Sequence, residues 1–230
     1  MRPRASSHPL TEPDPGLLPH RLKRSPMPAQ AEVWRQVRHR LDTGQGFWVY
    51  AYGSLIWKPA FEPLASLPAR VWGHHRALRM RSLRDRGTPE RPGLVFALLP
   101  GGCCTGVVQR VPDDQAEAVF DALWLREMEA SPYRPHWLRA RTAAGAVSAL
   151  GFTLPGTSER HARELGEIEL LDILRHARGR HGSTLDYLLD TARALQRHGI
   201  HDPQVQALVA LARRHGLHGH PGTQRQDSGS

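Results

Sequence analysis

Between Phe47 and Leu154 the chain places its strand signals in one group, with a single helical interruption. That grouping constrains the fold more than any other feature. Phe47–Tyr52 is aromatic and β-branched and predicts a buried strand. Further strands are expected at Arg70–Arg81, Gly93–Leu99, Thr105–Val111, His136–Arg141 and Val147–Leu154. Doubly wound folds alternate strands with helices. The observed order therefore argues against a Rossmann sheet and predicts an α+β domain on a mostly antiparallel sheet or barrel.

Helices are expected on either side of this group. Val33, Val37 and Leu41 recur every four residues and predict a helix over Ala29–Leu41, stopped near Gly44. Pro112, followed by Asp113 and Asp114, opens a helix that runs to about Glu129. Ser183 and Asp186 have capping-box spacing, and Asp202-Pro203 reads as an N-cap followed by proline at the first helical position. Gly199 and Gly216 read as helix stops. Residues 1–28 hold seven of the 19 prolines and read as a disordered leader. Residues 216–230, rich in Gly, His and Gln, read as a disordered tail, which leaves one domain over 29–215.

Composition narrows the partners. The formal charge is +9, from 31 basic and 22 acidic residues, and Lys23 and Lys58 are the only lysines. Residues 47–110 carry nine basic and three acidic side chains, so the excess is concentrated there. A basic chain raises the question of nucleic acid. No RRM, KH or zinc-finger signature and no aromatic-basic repeat is present, so a nucleic-acid-binding module stays a distant alternative. The run Leu94–Leu99 is too short to cross a bilayer, and no apolar segment follows the basic residues of MRPRASSHPL. The expectation is a cytoplasmic protein without a membrane partner. Cys103 and Cys104 are adjacent, face opposite ways in a strand, and read as free thiols.

Familiar motifs fail one after another. Gly44-Gln45-Gly46 lacks the third glycine of a dinucleotide fingerprint, since Val49 stands there. Gly101–Gly106 lacks the lysine of a phosphate loop. There is no GxSxG and no HExxH. His215, His218 and His220 cluster only at the start of the predicted tail and within it, and His74 and His75 face opposite ways on a strand. No cofactor and no metal are expected.

Two segments carry chemistry instead. The first is Trp48–Trp57, a strand that ends in a tight Gly53-Ser54 turn. It reads either as a core strand with a turn or as a nest of N–H groups around Tyr52–Leu55 that receives a carboxylate. The second is Leu123–Arg134, where Glu127 follows the apolar Leu123-Trp124-Leu125 near a helix C-terminus. The helix end and burial would both raise its pKa. By itself, Glu127 reads first as a glutamate paired with Arg126 or Arg134 on a solvated surface.

Together the segments resemble the ChaC-like γ-glutamylcyclotransferases, the bacterial glutathione-specific branch. Four blocks in order carry the resemblance. They are Tyr52-Gly53-Ser54-Leu55 with Trp57 and Pro59; Gly73-His74-His75-Arg76 leading to Arg86-Gly87-Thr88 and Pro92-Gly93; Gly106-Val107 with Arg110-Val111-Pro112; and Leu123–Met128 with Tyr133. A late helical tyrosine matches Tyr187. Ala51 stands where these proteins usually carry Gly, and His74 replaces a more usual aromatic.

The resemblance implies a compact mixed barrel with flanking helices, no cofactor, and cleavage of glutathione, a small anionic peptide, to 5-oxoproline and cysteinylglycine. It places the general acid/base on Glu127. It places the substrate loop on Val49, Tyr50, Ala51, Tyr52, Gly53, Ser54 and Leu55, with Arg86, Tyr133 and Tyr187 at the substrate. The same chemistry on other γ-glutamyl amino acids or γ-glutamylamines is the alternative reading.

Overall fold

The computed structural model describes residues 28–129 and 132–219. Helix α1 (Pro28–Asp42) precedes strand β1 (Trp48–Ala51), which ends in a 3-10 turn, Ser54–Ile56. Two long strands follow, β2 (Ala65–Ser82) and β3 (Gly93–Arg110), then helix α2 (Ala116–Trp124). Strands β4 (Arg134–Thr142) and β5 (Gly145–Thr153) form a hairpin. Helix α3 (Glu167–His176), the short pair β6 (Arg178–Gly179) and β7 (Gly182–Ser183), α4 (Thr184–Arg197) and α5 (Pro203–Arg214) complete the fold.

The five main strands close into a barrel in the order β1-β3-β2-β4-β5. Every pairing is antiparallel except β1 with β5, which run parallel through Val49 and Leu150. The expected α+β fold with a mostly antiparallel mixed barrel is what the chain adopts. Closure puts β1 between two neighbours, and Val49, Tyr50 and Ala51 are fully buried as a result. Tyr50 satisfies its phenol by donating to the Cys104 carbonyl at 2.9 Å. Helix α1 lies on this assembly through Trp34, whose ring is 5.2 Å from that of Phe120 on α2.

One expectation needs correction. Gly93–Leu99 and Thr105–Val111 are not two strands but parts of the single strand β3. Gly101 and Gly102 adopt φ of +95° and +70°, and the pairing with β2 shifts register opposite Gly73. These glycines bend the long hairpin round the barrel instead of ending a strand. Cys103 is exposed and Cys104 buried, as alternation requires, and both are free.

The expected caps hold. Ser183 and Asp186 form a reciprocal capping box on α4, and Asp202 accepts the Gln204 and Val205 amides before Pro203 continues α5. Gly199 and Gly216 both carry the positive φ of a helix stop. Pro28 belongs to α1, and residues 216–219 continue past α5 with Leu217 packed on the core. The rest of the predicted leader and tail, His220 included, lies outside the described residues. Among the described residues no helix is long and apolar enough to cross a membrane, and no three His, Cys, Asp or Glu side chains converge on a metal position.

Candidate active site

Helix α2 does not stop at Trp124. It widens into a π-helical turn over Leu125–Glu129, which carries Glu127. Such turns arise where an α-helix accommodates an extra residue and often coincide with functional positions. Trp124 stays in the core while the Glu127 carboxylate faces a cavity, with 14% of its side chain exposed. Burial raises its pKa above the ordinary carboxylate range; Arg126 opposes the rise and Asp85 adds to it. Glu127 does pair with Arg126, at 3.0 Å, but as a buried group and not as a surface ion pair.

Arg126 also ties this turn to the loop after β1. Its guanidinium donates to Ser54 Oγ at 3.0 Å and to the Lys58 carbonyl at 2.8 Å. The loop itself is fixed by its 3-10 turn, in which Ile56 N–H donates to the Gly53 carbonyl. The first amides of such a turn, those of Ser54 and Leu55, have no acceptor within it. Tyr52, Gly53, Ser54 and Leu55 line a small chamber of about 30 Å³ with Phe96, Phe152, Glu127, Tyr133 and Tyr187.

Three tyrosines frame that chamber, each buried. Tyr52 donates to the Phe152 carbonyl at 2.8 Å, and Tyr133 donates to the Phe96 carbonyl at 3.3 Å. Tyr187 accepts the Phe96 amide at 3.2 Å, which leaves its own proton available to the chamber. Burial pushes the Tyr187 phenol up to about 12, and burial also raises Tyr52 and Tyr133. All three are therefore neutral hydrogen-bonding groups near neutral pH.

A larger cavity of about 450 Å³ opens outward and shares Ser54, Glu127, Tyr133 and Tyr187 with the chamber. Its wall is cationic, with Lys58, Arg81, Arg84, Arg86, Arg160 and Arg180 set against Asp85. Arg86 is 92% buried, its guanidinium 5.3 Å from the Tyr187 ring and 5.6 Å from the Trp57 ring. Burial lowers its pKa, with nearby acidic groups opposing. A buried cation beside aromatic faces and open space is suited to an anionic group of a ligand.

The structure thus gathers Tyr52, Gly53, Ser54, Leu55, Arg86, Glu127, Tyr133 and Tyr187 around one connected space. Val49, Tyr50 and Ala51 do not line it; their side chains are packed in the barrel core and support the loop from below. Reading the sequence named Arg126 as a possible partner of Glu127, which it is, but not as the tie to the Ser54 loop. It also missed Lys58, which sits inside the first block, and Arg160 and Arg180, which come from segments with no motif; the three meet only through the topology.

The residues 47–215 match the family model described as ChaC-like protein. A glutathione-specific γ-glutamylcyclotransferase of Escherichia coli K12 is 30% identical over 168 residues, 73% of each chain. The γ-glutamylcyclotransferase 2-3 of Arabidopsis thaliana is 30% identical over 176 residues, 72% of this chain and 88% of that one. The crystal structure of a glutathione-specific γ-glutamyl cyclotransferase from yeast superposes with a TM-score of 0.64 at 22% identity, over 74% of this chain and 99% of that one, and so shares the fold. With a family model that spans most of its length and these relatives beside it, the chain belongs to the ChaC-like family of γ-glutamylcyclotransferases.

Proposed function

We propose that this protein is a glutathione-specific γ-glutamylcyclotransferase that releases 5-oxoproline and cysteinylglycine. One observation carries the reading: a largely buried carboxylate of raised pKa, Glu127, stands where a small chamber lined by the Tyr52–Leu55 loop meets a larger cationic cavity. The names of the relatives point to the same reaction.

The chemistry suits these residues. The α-amine of the γ-glutamyl unit attacks its own γ-carbonyl carbon, a lactam C–N bond forms, and the C–N bond to cysteine breaks. Holding the glutamyl chain folded supplies much of the rate, because the nucleophile is already attached. Glu127 takes a proton from the α-ammonium and returns one to the leaving amine, which requires a carboxyl tuned toward neutrality. The amides of Gly53, Ser54 and Leu55 receive the α-carboxylate or the developing oxyanion. Tyr187 donates at the glutamyl end, and Tyr133 holds its neighbours in place. Arg86 receives the glycine carboxylate in the outer cavity.

The catalytic unit is 29–215 in this reading, and a cytoplasmic setting accords with the two free thiols. The test is direct. Purified protein is incubated with glutathione and with γ-glutamyl-alanine, and 5-oxoproline and cysteinylglycine are quantified. Release from glutathione in preference to γ-glutamyl-alanine is expected. Absence of 5-oxoproline from both overturns the reaction, and preference for γ-glutamyl-alanine overturns the substrate.

A further inference from the structure

The loop that forms the chamber floor presents four consecutive carbonyls, and the fold ties off each of them. Arg76 Nε donates to the Tyr52 carbonyl at 2.6 Å. The Ile56 amide donates to the Gly53 carbonyl at 3.0 Å, and the Trp57 and Lys58 amides donate to the Ser54 carbonyl at 3.1 and 2.7 Å. Gln109 Nε2 donates to the Leu55 carbonyl at 3.1 Å. A trans peptide is planar, and its N–H points opposite to its C=O. No peptide here is cis. Fixing the carbonyls of Tyr52, Gly53 and Ser54 therefore aims the amides of Gly53, Ser54 and Leu55 the other way.

The tie on Tyr52 is the elaborate one. Arg76 is only 3% exposed, and its guanidinium serves three acceptors: the Tyr52 carbonyl, the Thr105 carbonyl at 2.8 Å and the Asp202 carboxylate. Asp202 is itself committed, because its other oxygen caps α5 through the Gln204 and Val205 amides, each at 3.1 Å. The chain of contacts runs from the start of α5, through Arg76, to the peptide that precedes Gly53. Arg76 and Asp202 line neither the chamber nor the outer cavity.

We propose that Arg76, braced by Asp202, is a positioning residue that sets the Tyr52–Gly53 peptide plane so that the Gly53 amide faces the α-carboxylate of the γ-glutamyl group. This rests on the cyclotransferase reading given above. A flexible lysine ammonium cannot reproduce the guanidinium fork that reaches two carbonyls and a carboxylate together. In Arg76→Lys the peptide plane is released while the charge beside Asp202 is kept. Asp202→Asn keeps a competent helix cap and the packing, and removes only the charge that holds Arg76.

The experiment compares two ligands. Glutathione carries the α-carboxylate; γ-aminobutyryl-cysteinylglycine lacks it and is otherwise the same chain. Wild-type turnover of glutathione is measured first, since its absence overturns the functional reading itself. In Arg76→Lys, KM for glutathione is expected to rise about tenfold, the scale of one charge-assisted hydrogen bond. The Ki of the decarboxylated analogue, as a competitor of glutathione, stays within about twofold. Asp202→Asn moves the same way by a smaller factor and supplies the test where Arg76→Lys does not fold. An active wild type overturns the positioning role if its variants raise KM and Ki together, or leave both unchanged.

Discussion

A methyl group built on Gly53 would lie 2.7 Å from Tyr187 Oη, closer than real side chains approach. That approach alone bars a side chain at this position. Gly53→Ala is expected to lower Tm by several degrees and turnover by about a hundredfold, through loss of aligned loop donors. Tyr187→Phe removes the colliding atom and leaves the next contacts at 3.7 and 3.9 Å. Its own cost is the orphaned Phe96 amide, about 1–3 kcal/mol. Alanine introduced at Gly53 in the Tyr187→Phe background should cost clearly less stability than in wild type. Additive losses of Tm in this double-mutant cycle would show that the contact is not what excludes a side chain.

Much of this site was legible in the residues because local chemistry expresses itself locally. The Tyr52–Leu55 turn, Glu127 after an apolar helical stretch, and the caps at Ser183 and Asp202 each depend on near neighbours in sequence. The continuous β3 was not legible, because Gly101 and Gly102 punctuate a sequence in the same way whether they end a strand or bend it. Arg76 and Gln109 were not legible as loop ties either. Their partners lie 24 and 54 residues away, and only barrel closure brings them together.

The ionisation of Glu127 sets a pH dependence. Its pKa is raised by burial, so the acid limb of kcat/KM should lie above the ordinary carboxylate range near 4.5. Arg126 opposes that rise, so Arg126→Gln should move the limb to still higher pH. The same variant removes the tether to Ser54 Oγ and should raise KM. Glu127→Gln should reduce 5-oxoproline release by about a hundredfold to ten-thousandfold with the fold retained. The sign for stability follows. The folded state holds this proton more tightly than the unfolded chain, so the contribution is full at low pH and is lost as pH rises through the folded pKa. The Tm of Glu127→Gln relative to wild type should therefore improve between acid and neutral pH. An acid limb at or below 4.5 would contradict the assignment.

Two helix caps that look alike should differ in cost. Ser183→Ala removes the capping box of α4 and should cost about 1 kcal/mol. Asp202→Ala removes the cap of α5 and also strands the buried Arg76 guanidinium, and breaking one side of a buried pair costs about 3–5 kcal/mol. Urea unfolding of the two variants reads the difference, provided the m-values are unchanged. Equal costs would mean that Arg76 finds another partner.

The basic wall of the outer cavity predicts a salt effect on capture and not on chemistry. Among the described residues, Lys58, Arg84 and Arg160 line that cavity without a salt bridge, while Arg180 is paired with Asp85 at 2.6 Å and Arg86 feels Asp190, Asp186 and Asp85. Unpaired cations in a recess concentrate field toward an anionic peptide. Screening lengths fall from about 30 Å to about 8 Å between ionic strengths of about 0.01 and 0.15 M, so distant charges stop contributing across that range. The kcat/KM for glutathione should fall several-fold over it, carried by KM, with kcat nearly constant. A substrate whose glycine carboxylate is capped as an amide presents one fewer negative charge to this wall. Its kcat/KM should be lower in dilute buffer and should depend less steeply on salt. Lys58→Gln should flatten the slope for glutathione without changing kcat. A slope identical for both substrates would show that these cations do not meet the glycine end, and would move the anion contact back to the loop amides.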